Sequence, residues 1–283
     1  MKKLRLYLLE AIVLTLLVIY LYPFVIVTIN SAKDAFSVTQ YPMRLPENWA
    51  QLFVNMGTIW SSPNIRYASS FFSSLFITAL SLVVVTFFPA QAGWVLVRTK
   101  TRTSQILFLL FVAAMVIPFQ IVMFPLISWF RTIYQILGVR LLRTYFGMVL
   151  AYLGFGLSLS VFMYHGFIKS IPYELEEASI IDGCSMPQVF YRVIFPLLTP
   201  VHATIGILHG MWIWNDFLLP LLVLGKGNRI QTLPLAVANF AGAYVKQWDL
   251  ILTAILMAMI PVLVFFFIAQ KKIVKGMVAG SIK

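Results

Sequence analysis

Long apolar stretches that alternate with shorter polar connectors dominate the chain. Six of these stretches have the length of about twenty residues that a helix needs to cross a bilayer. They are residues 8–29, 70–97, 105–129, 145–168, 201–224 and 250–269. The pattern predicts an all-α membrane protein in which six transmembrane helices form a single transmembrane domain over residues 1–283.

The composition agrees with a protein that is embedded in a lipid bilayer. Hydrophobic residues make up 61% of the chain and charged residues 11%, whereas about a quarter of the residues in a soluble domain are charged. The mean hydropathy is +0.91. The single cysteine, Cys184, excludes a disulfide within the chain.

The connector at residues 169–200 is unusually acidic. It reads KSIPYELEEASIIDGCSMPQVFYRVIFPLLTP and holds four of the nine acids of the chain. These four are Glu174, Glu176, Glu177 and Asp182. A proline followed by carboxylates is typical of a helix N-terminus, because proline lacks the donor that would be unpaired there and the positive end of the helix dipole attracts acids. We therefore expect a helix to begin near Ile171, with Pro172 in its first turn.

A second short helix is predicted in the same connector. Gly183 can adopt the left-handed conformation that closes a helix. Ser185 followed three residues later by Gln188 forms the pattern of a capping box. Pro196 and Pro200 are then expected to end this second helix, since neither ring can donate to a helical hydrogen bond.

Basic residues flank the apolar stretches in a way that predicts the orientation. An even number of spans places both termini on one side, and both ends are rich in lysine and arginine, as cytoplasmic segments are. The flanking cations are Lys2, Lys3, Arg5, Lys271, Lys272, Lys275 and Lys283. Both termini and the connector at 169–200 are therefore predicted to be cytoplasmic. Arg131, Arg140 and Arg143 lie in an outer connector under this orientation, and no pattern in the sequence explains them.

The fifth apolar stretch carries unusual polar chemistry. Gly206 and Gly210 form a Gly-x-x-x-Gly pair, which allows close packing between membrane helices. The run Trp212, Trp214, Asn215 and Asp216 follows toward the outer end. A carboxylate in hydrocarbon costs about 2.5 to 3.5 kcal/mol, so Asp216 should face an aqueous path, a partner or the interface. These four residues are either a candidate substrate path or a structural hydrogen-bonding group near the outer boundary.

Several function classes find no support in the sequence. No Gly-x-x-x-x-Gly-Lys-Ser/Thr loop is present, so ATP would have to bind to another subunit. His165, His202 and His209 lack the clustered partners of a metal site. We expect no catalytic residues, no metal, no cofactor and no nucleic-acid partner on this chain.

The acidic connector resembles the signature loop of bacterial ABC importer permeases. The family pattern is Glu-Ala-Ala, three residues, Gly, nine residues and Ile-x-Leu-Pro. This chain keeps the spacing with Glu177-Ala178-Ser179, Gly183, and Val193-Ile194-Phe195-Pro196, in which Ser179, Val193 and Phe195 are mild departures. The Trp-Asn-Asp-Phe run and the tail resemble the carbohydrate-uptake branch of the family, which includes the smaller subunit of maltose permeases.

The resemblance implies a type I ABC importer permease of the bacterial inner membrane. In that family the loop is a coupling helix that docks on a cytoplasmic ATPase. The corresponding residues here are Glu176, Glu177, Ala178, Ser179, Asp182, Gly183 and Pro196. The implied partners are a second, homologous permease subunit, two cytoplasmic ABC ATPase subunits that bind ATP and Mg, and an extracytoplasmic solute-binding protein. The implied cargo is a sugar or oligosaccharide.

Two other classes stay open at this point. A secondary transporter or channel would work without ATP, but it needs ionisable groups within the membrane, and Asp216 is almost the only candidate. A membrane scaffold subunit would use the acidic loop to bind a partner without conducting a substrate. Co-purification with an ATPase disfavours the first class, and substrate uptake by reconstituted vesicles disfavours the second.

Overall fold

The computed structural model describes residues 2–243 and 247–281, with side chains described for residues 5–242 and 247–267. The side chains of the cations predicted to mark the cytoplasmic ends, apart from Arg5, lie outside the described residues. All described elements are helical. They are α1 (Lys2–Ser31), α2 (Ala35–Gln40), α3 (Gln51–Ser61), α4 (Tyr67–Arg98), α5 (Arg102–Ala114), α6 (Phe119–Leu137), α7 (Tyr145–Ile168), α8 (Glu174–Ile181), α9 (Met186–Val189), a π-helical turn (Phe190–Ile194), α10 (Phe195–Leu197), α11 (Thr199–Asn215), α12 (Leu218–Val223), α13 (Leu233–Ala243) and α14 (Trp248–Ser281).

Within the described part of the chain, four helices are individually long and apolar enough to cross a membrane. They are the Arg5–Ser31 part of α1, α4, α7 and the Trp248–Phe267 part of α14. Two further candidates among the described residues are bent pairs, Arg102–Ala114 with Phe119–Leu137 and Met186–Leu197 with Thr199–Asn215, and the number of spans reaches six if each pair counts as one span. The predicted spans therefore correspond to helices, but two of them are not continuous.

The predicted span at 105–129 is broken in its middle. Helices α5 and α6 meet at an angle of 108°. Pro118 is the N-cap of α6 and has extended backbone angles. A proline has no amide proton and disfavours the helical conformation of the residue before it. The break therefore follows from Pro118, which the apolar pattern alone does not weigh.

The predicted span at 201–224 also differs from one continuous helix. Helix α11 ends at Asn215, because Asp216 has extended angles (φ −72°, ψ 128°). Helix α12 then begins at Leu218. The polar pair Asn215-Asp216 thus lies between the end of α11 and the start of α12, where a carboxylate can accept hydrogen bonds from the free backbone amides at the N-terminus of α12.

Pro196 does not end the second loop helix, contrary to the sequence prediction. The chain stays helical from Met186 to Leu197, and the amide of Phe195 donates to the Phe190 carbonyl across the π-helical turn. Pro196 then occupies the first turn of α10, where a missing donor breaks no hydrogen bond. The break falls at Leu198, and Pro200 stands in the first turn of α11.

The described residues form two compact units. One comprises residues within 1–69 and 236–263, and the other comprises residues within 70–235 and 264–283. The second unit has two buried apolar clusters. The first includes Val85, Tyr164, Ile168, Phe190, Ile194 and Leu198. The second includes Phe130, Met148, Tyr152, Ile213 and Leu219. Each cluster supports one of the sites described below.

The Gly-x-x-x-Gly pair makes no close helix contact in the described chain. A methyl group at Gly206 would meet no described atom within 4 Å, and at Gly210 it would meet Phe265 and Leu82 at ordinary distances of 3.5 and 3.6 Å. The predicted role of Gly206 and Gly210 in helix packing stays a prediction. Close approach occurs instead at Gly93, where a Cβ would lie 2.8 Å from the Cβ of Tyr164.

Candidate functional site

The acidic loop folds as a short helix, a glycine turn and a second helical segment. Helix α8 begins at Glu174, three residues after the predicted start, and ends at Ile181. Gly183 has a φ of +87°, the left-handed conformation expected of a glycine that closes a helix. The capping box is also present, with the Ser185 amide donating to the Gln188 Oε1 atom at 2.8 Å. The local sequence signals therefore specify this turn.

Glu176 points into the protein, although the sequence prediction placed it in the docking loop. Its side chain is 2% exposed. The Arg98 Nε atom donates to Glu176 Oε1 at 2.6 Å, and the Trp94 Nε1 atom donates to Oε2 at 3.0 Å. Arg98 Nη2 also donates to the Ile171 carbonyl at 3.1 Å. Glu176 thus connects α8 to the end of α4, across 78 positions of sequence.

The other acids of α8 remain on the surface. Glu174, Glu177 and Asp182 are exposed, and so is Ala178. Large apolar side chains accompany them, including Ile181 at 85% exposure, Leu175 and Met186. We call this surface the loop face, defined by Leu175, Glu177, Ala178, Ile181, Asp182 and Met186. An exposed face of mixed acidic and apolar character is typical of a protein contact surface.

The segment after the loop face is firmly packed. Val189, Phe190, Ile194 and Leu198 are buried. They belong to the cluster that contains Tyr164 and Ile168 of α7. Phe190 also lies against Trp94, with ring centroids 5.2 Å apart. The loop face is therefore held by two connections, one polar through Glu176 and one apolar through the π-helical turn.

Asp216 is the centre of a second group of hydrogen-bonded polar atoms. Its Oδ1 atom accepts from the amide of Leu218 at 3.0 Å and, more weakly, from that of Leu219 at 3.4 Å. Its Oδ2 atom accepts from the buried hydroxyl of Tyr152 at 3.1 Å. The carboxylate is held in one orientation by donors from α12 and α7.

Asp216 and Trp212 line a cavity of about 430 Å³. Their neighbours on its wall come from the α5–α6 break, α7, α11 and α12. The described lining is Ala114, Met115, Ile117, Phe119, Phe155, Ser158, Leu159, Leu208, His209, Trp212, Asp216 and Leu218. This volume lies within the range of about 300 to 1,000 Å³ that small-molecule sites occupy.

Trp214 and Asn215 are not among the residues that line this cavity. Trp214 packs edge-on against Phe71, with ring centroids 5.8 Å apart. Asn215 donates to the Met211 carbonyl one turn back in α11. The structure thus divides the four residues predicted together into two that line the cavity and two that do not.

The three histidines have separate partners. His209 Nε2 and the Ser160 hydroxyl are 2.9 Å apart, and His202 Nδ1 and the Tyr164 hydroxyl are 2.6 Å apart. His165 stacks on Phe108. Within the described part of the chain, no group of three His, Cys, Asp or Glu residues is placed to hold a metal ion.

Arg143, which the sequence left unexplained, supports a turn. It has a φ of +65°, and its amide donates to the Val223 carbonyl at 2.9 Å. Its carbonyl accepts from Asn228 Nδ2, and its Nη2 atom contacts the Lys226 carbonyl, both at 3.4 Å. Arg143 therefore ties the start of α7 to the loop after α12.

Sequence reasoning missed a buried lysine in the first unit. Lys33 is 5% exposed. Its Nζ atom donates to Asn30 Oδ1, the Tyr41 carbonyl and the Pro42 carbonyl at 2.9, 2.8 and 3.3 Å. Asn55 Nδ2 donates to the carbonyls of Ser31 and Lys33, both at 2.9 Å. Burial lowers the pKa of Lys33.

Comparison with known proteins identifies the family. The inner membrane components of binding-protein-dependent transport systems match residues 87–279. The chain belongs to this family. It is 38% identical over 278 residues to a probable starch degradation products transport system permease protein of Thermoanaerobacterium thermosulfurigenes, across 98% of this chain and 97% of that one. It is 33% identical to a melibiose/raffinose/stachyose import permease protein of Bacillus subtilis, across 82% and 81%.

Solved structures agree on the fold. A bacterial ABC transporter involved in the import of the acidic polysaccharide alginate contains a chain that matches with a TM-score of 0.77. The match covers 96% of this chain and 98% of that chain at 23% identity. It confirms the predicted type I ABC importer permease fold. The family is one of transport components, which agrees with the prediction that the chain is not an enzyme.

Proposed function

We propose that this chain is a permease subunit of a binding-protein-dependent ABC importer for a sugar or oligosaccharide. The names of the relatives support the cargo, since they refer to starch degradation products and to melibiose, raffinose and stachyose. Both termini and the acidic loop lie on the cytoplasmic side. A soluble solute-binding protein delivers the sugar from outside.

The loop face is the docking surface for a cytoplasmic ATPase. The observation that carries this role is the double anchorage of the loop. Glu176 is bound to Arg98 and Trp94, while the π-helical turn is packed in the core. A surface held in this way moves with the helices behind it, as a rigid body. Closure of two ATPase subunits around ATP and Mg would therefore displace α4 and α7 together with the loop.

A second, different permease subunit completes the membrane path. Six spans rarely enclose a wide path alone, and the cavity at Asp216 is open rather than enclosed within the chain. The proposed partner is homologous to this chain but distinct from it. A functional complex that contains only one permease sequence would contradict the heterodimer.

The glycine turn provides the test of coupling. Gly183→Val places a β-branched residue at a φ of +87°, which costs about 1 to 2 kcal/mol. No described atom lies within 4 Å of the added Cβ, so the cost is conformational rather than a clash. We expect substrate-stimulated ATP hydrolysis by the reconstituted importer to fall about tenfold or more, while membrane insertion is unchanged.

Gly183→Asn is the matched control. Asparagine tolerates the left-handed conformation, so this variant should keep most of the stimulated ATP hydrolysis. Gly57→Val adds the same side chain to α3 at another open position, and we expect normal coupling there. Normal stimulation in Gly183→Val would count decisively against the docking role.

A further inference from the structure

The cavity beside Asp216 has a distinctive distribution of charge. Among the described residues that line it, Asp216 is the single carboxylate and no lysine or arginine is present. His209 is the other titratable group on the wall, and its Nε2 atom is engaged with Ser160. Recognition of a carboxylate or phosphate in proteins usually relies on arginine or lysine. The described wall offers neither cation to an anionic ligand.

Tyr152 fixes the direction in which Asp216 can accept a hydrogen bond. The Tyr152 ring is fully buried, and its hydroxyl donates to Oδ2. The Leu218 and Leu219 amides donate to Oδ1. A carboxylate offers about four acceptor positions over its two oxygens. Acceptor capacity therefore remains on Oδ2 for a hydroxyl group that enters the cavity.

Aromatic rings supply the apolar part of the wall. Trp212 is half-exposed and is braced by an edge-on contact with Tyr152 at 5.4 Å. Phe119 and Phe155 contact each other at 5.0 Å on the same wall. A sugar ring presents both hydroxyl groups and an apolar C–H face. An acceptor beside fixed aromatic rings suits both features, as in small-molecule sites that combine apolar walls with a few polar groups.

We propose that this cavity is a sugar-contact subsite that accepts neutral sugars and rejects acidic ones. The inference rests on the proposed function, because it assigns a substrate class to the membrane path of the same importer. A neutral hydroxyl donates to Asp216, whereas a uronate would place a second carboxylate beside it. Like charges in a partly buried site repel strongly. The fold alone does not decide this point, since a chain of the same fold serves an alginate importer.

Cysteine labelling tests the charge of the cavity independently of transport. Replacing the single cysteine by Cys184→Ser leaves a background for Ser158→Cys, which adds a thiol to the wall. The purified complex in detergent is treated with cationic or anionic methanethiosulfonate reagents near pH 8, where an ordinary histidine is neutral. We expect the cationic reagent to react about tenfold faster than the anionic one. Adding Asp216→Asn should remove that preference.

Two controls separate the cavity from its surroundings. Leu150→Cys lies about two turns earlier on the same helix and lines the neighbouring apolar cavity, which Ser158 also borders, but not the cavity at Asp216, so it should show little preference between the reagents. Asn215 is next to Asp216 in sequence, but its side chain bonds to Met211 and is not on the cavity wall. Asn215→Ala should therefore leave the preference at Ser158→Cys intact. Equal rates for both reagents at Ser158→Cys would overturn the proposal. So would a thiol that reacts with neither reagent.

Protection by sugars tests the ligand class. We expect maltotriose to slow labelling of Ser158→Cys and a trisaccharide of uronic acid to have no effect. Protection by the uronate trisaccharide, or by neither sugar, would overturn the proposal.

Tyr152→Phe should weaken protection by maltotriose while preserving the preference for the cationic reagent, because it frees the carboxylate without removing its charge. Failure of the proposed function is distinguishable, because it would appear as a lack of ATPase coupling while the charge preference persists.

Discussion

Lys33 and Glu176 are both almost fully buried, at 5% and 1% exposure, but they are compensated in different ways. Glu176 has a cationic partner, the Arg98 side chain, at 2.6 Å. Lys33 is surrounded by neutral acceptors, and no described carboxylate forms an ion pair with it. One buried ion therefore has a full opposite charge beside it, and the other has only oxygen dipoles.

The difference corresponds to two mechanical roles. The Arg98–Glu176 pair joins two helices that are 78 positions apart in sequence, so it connects the loop to the membrane part of the chain. The hydrogen-bond acceptors of Lys33 lie only three to nine positions away in sequence, so Lys33 closes a local turn after α1. A buried ion pair is favourable only when its geometry is close and its remaining hydrogen bonds are made, so this pair defines how α8 lies against α4. Dipoles are sufficient where the chain itself keeps the groups close.

Removing Glu176 should have the largest effect. Glu176→Ala leaves the Arg98 guanidinium in a largely buried position without its partner, and breaking such a pair typically costs about 3 to 5 kcal/mol. We expect a clear fall in the unfolding temperature of the detergent-purified permease. Glu174→Ala, on the exposed side of the same helix, should change stability by less than about 0.5 kcal/mol.

The double variant sharpens this test. Arg98→Met combined with Glu176→Leu replaces the pair by apolar groups of similar size, which is often nearly neutral or stabilising. We therefore expect it to recover much of the stability lost in Glu176→Ala. An unfolding temperature of Glu176→Ala equal to that of the wild type would show that the pair is not buried in the assembled protein.

Lys33→Met should have a smaller effect. It withdraws the donor from three acceptors, and an unsatisfied buried acceptor costs about 1 to 3 kcal/mol. The Pro42 carbonyl keeps a donor from Asn30 Nδ2 at 2.9 Å, which limits the loss. Thermal unfolding in detergent measures the change, with Asp34→Asn as the control, because asparagine preserves the helix cap. A loss as large as that of Glu176→Ala would indicate a charged partner for Lys33.

The glycine turn and the apolar spans could be predicted because their signals are local. Gly183, Ser185 and Gln188 lie within six residues, and their pattern specifies the backbone directly. The inward orientation of the Glu176 side chain could not be predicted from such local signals. Glu174, Glu176 and Glu177 are adjacent acids, and the residue that turns inward is decided by Arg98, far away in sequence.

The division of the Asp216 region into cavity-lining and other residues has a signal in the sequence. Trp212 and Asp216 are four residues apart, and residues with this spacing share one helix face. Trp214 and Asn215 fall on other faces, which agrees with their contacts to Phe71 and Met211. The cavity itself was not predictable, because it also depends on the α5–α6 break at Pro118 and on Tyr152 of α7.

The pH dependence of unfolding should show the smallest effect on stability. It measures most directly how well neutral oxygen dipoles alone stabilise the buried charge of Lys33. Burial lowers the pKa of Lys33 below its ordinary value of 10.5. Between the lowered pKa and 10.5, the unfolded chain binds more protons than the folded chain, so the free energy of unfolding rises with pH there. We expect the wild type to gain stability relative to Lys33→Met as the pH rises toward 10.5. Thermal unfolding of both proteins over this pH range measures the difference and cancels the titration of all other groups. Parallel pH profiles would mean that Lys33 keeps an ordinary pKa, as an amine with a nearby carboxylate or free access to water would.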